Sequence, residues 1–131
     1  MPEAIEIQLK KGVLGLCVLA LLSRGNSYAY EIASRLSLAV GMGEGTIYPL
    51  MRRMQSDGLV ATYLEESPSG PPRKYYRITD TGRATLATQL AEWRSFTSAV
   101  ESLVGNVEAG RANPDNANSD PAADAETNDD A

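Results

Sequence analysis

The sequence predicts a mainly α domain (α+β) with a two-stranded β ribbon and one long C-terminal helix. Three observations predict it. Apolar residues recur at helical spacing around residues 29–36 and 45–57. Residues 59–79 hold two runs rich in β-branched and aromatic residues, separated by a Pro/Gly/Ser cluster. Leu86, Leu90, Trp93, Thr97, Val100 and Val104 then follow one another at alternating steps of four and three, the seam of a coiled coil.

Composition narrows the function classes. The 131 residues have room for one domain, and 43% hydrophobic content supports a small core. The net charge of −5 argues at first against a nucleic-acid partner. From Gly105 onward, however, seven acids face Arg111 alone, a balance of −6 that leaves residues 1–104 at +1. There is no histidine, which excludes imidazole acid–base chemistry and His–metal ligation. Cys17 is the single cysteine and lies in an apolar run, as a small buried hydrophobe would. It allows no internal disulfide and no multi-Cys metal site, which fits a reducing cytoplasm. No nucleophile–base set is present and the carboxylates are scattered, so neither an enzyme nor a cofactor is expected.

The elements follow in chain order. Residues 1–9 are a short, partly helical lead-in. The apolar run at 12–22 is too short to span a bilayer. Lys10 and Lys11 before it imitate a signal peptide, but Glu3 and Glu6 spoil the charged region. A helix apolar nearly all round is a core helix, ended by Gly25. Ser27 is placed to cap a second helix over Tyr28–Leu36, with Ile32 and Leu36 on its inner face. Gly41, Gly43 and Gly45 punctuate the following turn. Thr46 occupies the position where a phosphate-cradling glycine loop needs a third glycine.

A third helix is expected at about 45–57. Ile47, Leu50, Met51 and Met54 form its apolar stripe, while Thr46, Tyr48, Arg52, Arg53 and Gln55 face the other way. Gly58 stands where a left-handed C-terminal cap belongs. Pro49 requires the regular part to begin close to it, or to bend there. Strands are expected at 59–65 and 74–79, around an irregular tip at 67–72, with Arg73, Lys74 and Arg77 on the return arm. A lone hairpin is marginal in water, so it must lean on the helices. Thr79 caps a last helix at about 80–104, whose seam is widened by Phe96 and Leu103 and reaches a second copy of the chain. Residues 105–131 lack aromatics, carry excess acid, and are expected to be disordered.

Together these pieces are a winged helix-turn-helix: 1–79 the DNA-binding domain, 80–104 the dimerisation helix, 105–131 an acidic tail. In that arrangement the second helix of the pair enters the major groove. Thr46, Tyr48 and Pro49 near its N-terminus are candidates for base edges. Arg52 and Arg53, a turn further on, suit phosphates. Arg73 and Lys74 at the wing reach the adjacent backbone or a narrow minor groove.

The chain resembles the PadR family of bacterial transcriptional regulators over about residues 9–104. The residues that carry the resemblance are Leu-Ala-Leu-Leu at 19–22, Tyr-Ala-Tyr-Glu-Ile at 28–32, Gly-Thr-Ile-Tyr-Pro-Leu at 45–50, Asp-Gly-Leu-Val at 57–60, Gly-Pro-Pro-Arg-Lys-Tyr-Tyr-Arg-Ile-Thr at 70–79, and Gly82. Met51 and Met54 depart from the leucine common there, a volume-conserving change. The acidic tail lies outside the family pattern. The resemblance implies a homodimeric DNA-binding protein, usually a repressor relieved by an effector. It matches Tyr48 to the recognition-helix tyrosine, and Arg73, Lys74 and Tyr75 to the wing. Some small members with one long C-terminal helix bind flat multidrug-type compounds between paired tryptophans at the dimer interface. Trp93, with Phe96 nearby, stands at the matching place. An indole in a seam also buries much area with no ligand present.

Three functions follow: a dimeric repressor on an inverted-repeat operator, a small-molecule sensor built on Trp93, and a protein-interaction winged helix without DNA binding. The near-neutral body keeps the third in play, because strongly basic domains are the usual nucleic-acid footprint.

Overall fold

The computed structural model describes residues 5–112, in two compact units divided after Leu90. The first holds three helices, α1 (Ile5–Ser23), α2 (Ala29–Val40) and α3 (Glu44–Ser56), and three strands, β1 (Ser27–Tyr28), β2 (Val60–Ser67) and β3 (Gly70–Ile78). It ends in the first turns of α4 (Asp80–Ala112). No helix among the described residues is long and apolar enough to cross a membrane.

The core is assembled from one stripe per helix. Leu14, Val18, Leu19 and Leu22 of α1 meet Ile32, Ala33 and Leu36 of α2, and Ile47, Met51 and Met54 of α3. Val60, Tyr76 and Ile78 close it from the sheet, and Met42 from the turn. Cys17 is half-buried beside this core, and burial pushes its thiol pKa up. The N-terminal half of α1 runs on past the core, with Ile5, Ile7 and Leu9 exposed and Lys10 paired to Glu6 one turn back at 3.1 Å.

The sheet has three strands rather than two, in the order β1-β3-β2, all antiparallel. The extra strand corrects the role expected for Ser27. It does not cap α2: it is buried in β1 opposite Tyr76, and the cap position falls to Tyr28, which makes no side-chain capping bond. Backbone pairing to β3 holds Ser27 and Tyr28 extended, so the helix begins one residue later than expected. It also continues to Val40, and ends at Gly41 in the left-handed region with φ 71°. The wing tip is more regular than expected, since Pro71 and Pro72 lie inside β3. Proline lacks the donor a central strand needs. β1, however, covers only Tyr75 and Tyr76, so at the tip β3 is an edge on that side.

Two joints set the recognition helix against the wing. α3 closes in a Schellman motif: Leu59 N–H donates to the Met54 carbonyl and Gly58 N–H to that of Gln55, both at 3.0 Å. Gly58 takes φ 79°, as expected of a glycine there. Thr79 then ties three elements together. Its hydroxyl donates to the Gly58 carbonyl at 2.6 Å and accepts from Gly82 N–H at 2.9 Å, capping α4. Gly82 permits the closure, because a Cβ there would run into the Leu59 carbonyl oxygen and the Ile78 side chain.

Within the second unit, α4 runs to Ala112, eight residues beyond the expected end. Glycine inside a helix costs only about 1 kcal/mol relative to alanine, so Gly105 alone does not end it, and Val107 continues the apolar seam. Trp93, Phe96, Val100, Leu103, Val104 and Val107 are all exposed. The Thr97 hydroxyl bonds back to the Trp93 carbonyl at 2.9 Å, so this polar seam residue satisfies itself. Leu86 and Leu90 belong to the first unit, where Leu86 packs against the core. The tail expected to be disordered lies, from residue 113, outside the described residues.

Candidate nucleic-acid interface

The outer side of α3 carries Thr46, Tyr48, Pro49, Arg52 and Arg53. Arg52, Arg53 and Pro49 are exposed, while Thr46 and Tyr48 are half-buried. Pro49 is the sixth residue of the helix and does not interrupt it. It leaves the Gly45 carbonyl without its usual intrahelical donor, and Gly45 is exposed to solvent.

Tyr48 leans its ring on the core. Burial raises its phenol pKa above the ordinary tyrosine value, and Glu44, Tyr30 and Tyr76 nearby raise it further. At neutral pH the group is an uncharged donor and acceptor. That suits a base edge or a phosphate oxygen. Gln55, expected to be free on this face, instead donates to the Thr62 hydroxyl at 3.2 Å and fastens α3 to β2.

The wing separates residues that the sequence groups together. Alternation along β3 puts Arg73, Tyr75 and Arg77 on one face and Lys74, Tyr76 and Ile78 on the other. Lys74 lies over the Tyr76 ring, 5.6 Å from its centroid. Arg73 lies over Tyr28 at 4.5 Å. Tyr75 is held between Tyr28 and Tyr63, with ring centroids 5.5 and 5.6 Å away. Among the described residues none of Arg52, Arg53, Arg73, Lys74 and Arg77 forms an ion pair, so their charges are uncompensated at close range.

Sequence reasoning missed the neighbouring surface of α2. Tyr30, Ala33, Ser34, Ser37 and Leu38 line a shallow hollow of about 250 Å³, with Glu44 at the start of α3. Tyr30, Ser34, Ser37 and Leu38 recur at helical spacing opposite Ile32 and Leu36. That complementary stripe was the signal available. Among the described residues no group of acids and cysteine could hold a metal ion.

Two helices joined by a glycine-bearing turn, backed by a ribbon and presenting unpaired arginines, form the frame of a DNA-reading domain. The family model described as the transcriptional regulator PadR-like family matches residues 18–88 of this frame. The chain belongs to the PadR-like family of transcriptional regulators. A PadR-like transcriptional regulator from Bacillus cereus is 38% identical, with a TM-score of 0.69 over 74% of this chain and 96% of its own. A PadR family transcriptional regulator from Eggerthella lenta is 36% identical, with a TM-score of 0.66 over 75% of this chain and 87% of its own. An uncharacterized protein of Lysinibacillus sphaericus is 28% identical over 108 residues, covering 79% of this chain and 99% of its own length. As a PadR-like protein, this chain is a DNA-binding transcriptional regulator and not an enzyme.

Proposed function

We propose that the protein is a homodimeric repressor that reads an inverted-repeat operator in double-stranded DNA, within a bacterial cytoplasm. The observation that carries this reading is the set of arginines on α3 and the wing without ion-pair partners among the described residues. Thr46, Tyr48 and Pro49 meet base edges, while Arg52 and Arg53 neutralise phosphates. Arg73 and Lys74, on opposite faces of the wing, contact the neighbouring backbone. Tyr75, held between two rings, supports that arm.

Dimerisation is supported by the second unit. Its helix exposes many apolar side chains with no cover among the described residues of that unit, and their spacing fits a second copy. A two-fold dimer places half-sites about one helical turn apart, roughly 10 bp. Selection from a random duplex library at near-physiological salt tests the proposal. An enriched inverted repeat supports it. No enrichment by folded, dimeric protein replaces it with a partner-binding module.

The exposed Trp93 and Phe96 favour a second role in the same protein. On this reading a flat aromatic effector stacks on Trp93 at the dimer interface and relieves repression. Trp93 is the only tryptophan, so its fluorescence reports binding directly. Saturable quenching by planar aromatics, with the heat of binding seen by calorimetry lost on replacing Trp93→Ala, supports the sensor, and unchanged fluorescence removes it.

A further inference from the structure

We propose that Tyr28 is a positioning residue for the wing: its ring holds the Arg73 guanidinium unpaired and aimed at the DNA backbone. The inference rests on the reading of Arg73 as a DNA contact. Tyr28 pairs with Tyr75 across the β1–β3 ladder, and Arg73 lies two residues before Tyr75 on the same face. The two side chains are therefore diagonal cross-strand neighbours, and the guanidinium carbon stands 4.5 Å from the ring centroid.

The platform is built rather than incidental. Tyr28, Tyr75 and Tyr63 form one row across all three strands, the first pair tilted at 60° and the second stacked at 21°. The far end of the row is tied back, because Asn26 Nδ2 donates to the Tyr63 hydroxyl at 3.0 Å. Asn26 lies two residues before Tyr28, so both ends of the row are anchored to the same short segment. That segment leads into α2, with Tyr28 at its cap position. A side chain resting on Tyr28 is thereby referenced to the helix-turn-helix as well as to the wing.

Arg73 also had an alternative. Glu65 stands directly opposite it in the β2–β3 register, yet the two form no ion pair. An ion pair would occupy guanidinium donors and cancel the charge. A cation resting over a ring is attracted by the ring's quadrupole and leaves donors available for an anion. The ring thus limits the rotamers of a flexible side chain without using the groups that bind phosphate.

The test is a double-mutant cycle on the full chain, with the duplex enriched by wild-type protein. Tyr28→Leu keeps bulk and strand propensity but removes the π face. We expect Arg73→Ala to weaken binding and lower the salt slope by about one. Tyr28→Leu should weaken binding by about three- to tenfold with the slope retained, since the charge remains. Tyr28→Phe should restore affinity. The Tyr28→Leu/Arg73→Ala pair should bind no worse than Arg73→Ala alone. Equal losses for Tyr28→Leu with and without Arg73 mean a merely structural role, and wild-type affinity for Tyr28→Leu overturns the proposal outright. A readout without DNA separates this from failure of the wing reading. In the free protein, ring current should move the Arg73 side-chain proton signals upfield, and Tyr28→Leu should abolish the shift. If the shift is present but Arg73→Ala binds normally, the wing reading falls and takes the functional role of Tyr28 with it. If the shift is absent, the positioning itself is wrong.

Discussion

Two helices carry apolar stripes of similar spacing and opposite fate. In α3, Ile47, Met51 and Met54 are 0, 0 and 4% exposed. In α4, Phe96, Leu103 and Val107 are 62, 81 and 67% exposed. Periodicity says that a stripe exists to be covered; it does not say by what. The first is covered by α1, α2 and the sheet of its own unit, so it contributes to folding. The second has no cover among the described residues of its unit, and under the proposed dimer it contributes on association. The same chemistry is thus a stability element in one region and, under the proposed dimer, an assembly element in the other.

The largest effect should come from cutting into the first stripe. Met51→Ala removes a fully buried side chain and should cost about 2–5 kcal/mol, read as a drop in the denaturant midpoint. Leu103→Ala, measured where the protein is monomeric, should leave that midpoint nearly unchanged. Equal losses would erase the distinction between the two helices.

The next effect sharpens the α4 side. Val100→Asp with Val104→Asp puts two charges into the proposed seam, and a buried unpaired charge is strongly unfavourable. Sedimentation should then report monomer at concentrations where wild type is dimeric, with the secondary structure of residues 5–90 retained. A dimer that survives both substitutions would assign the interface elsewhere. The exposed Ile5, Ile7 and Leu9 at the start of α1 would be the next place to look.

A smaller effect belongs to the outer side of α3. Arg52→Ala should weaken binding to all duplexes alike and reduce the slope of log affinity against log salt by about one. An unchanged slope removes Arg52 from the interface.

The smallest is a pH effect at Tyr48. Its folded-state pKa is raised above the ordinary tyrosine value, chiefly by burial. Its stabilising contribution is therefore full below that ordinary value and fades as pH rises through the folded one. Tyr48→Phe should flatten the alkaline limb of stability against pH, while leaving neutral-pH stability little changed. An identical alkaline limb in both proteins would mean that the phenol ionises as freely in the folded chain as in the unfolded one.

Most of the fold was legible because its signals are local. The α3 stripe, the Gly58 cap and the Thr79 cap each depend on a few consecutive residues, and each is present as read. The candidate site was legible in its residue types but less so in its geometry. Arg73 and Lys74 are adjacent in sequence, and only strand pairing reveals that they point to opposite faces. Gln55 read as a free amide because its partner, Thr62, lies across a turn on another element. Ser27 read as a cap because serine before a helix usually is one. Its pairing with Tyr76, nearly fifty residues away, is invisible to any local pattern.

The sequence by itself determined the order of the helices and the two wing strands, the inner faces of α2 and α3, the two caps and the family, since propensity, spacing and motif act over short stretches of chain. Only the tertiary structure decided that Ser27 and Tyr28 form a third strand, that three tyrosines line up across the sheet with Arg73 over the first of them, and that the α4 stripe has no cover among the described residues of its own unit. Those outcomes depend on which distant segments lie side by side, and burial, pairing and stacking are settled there.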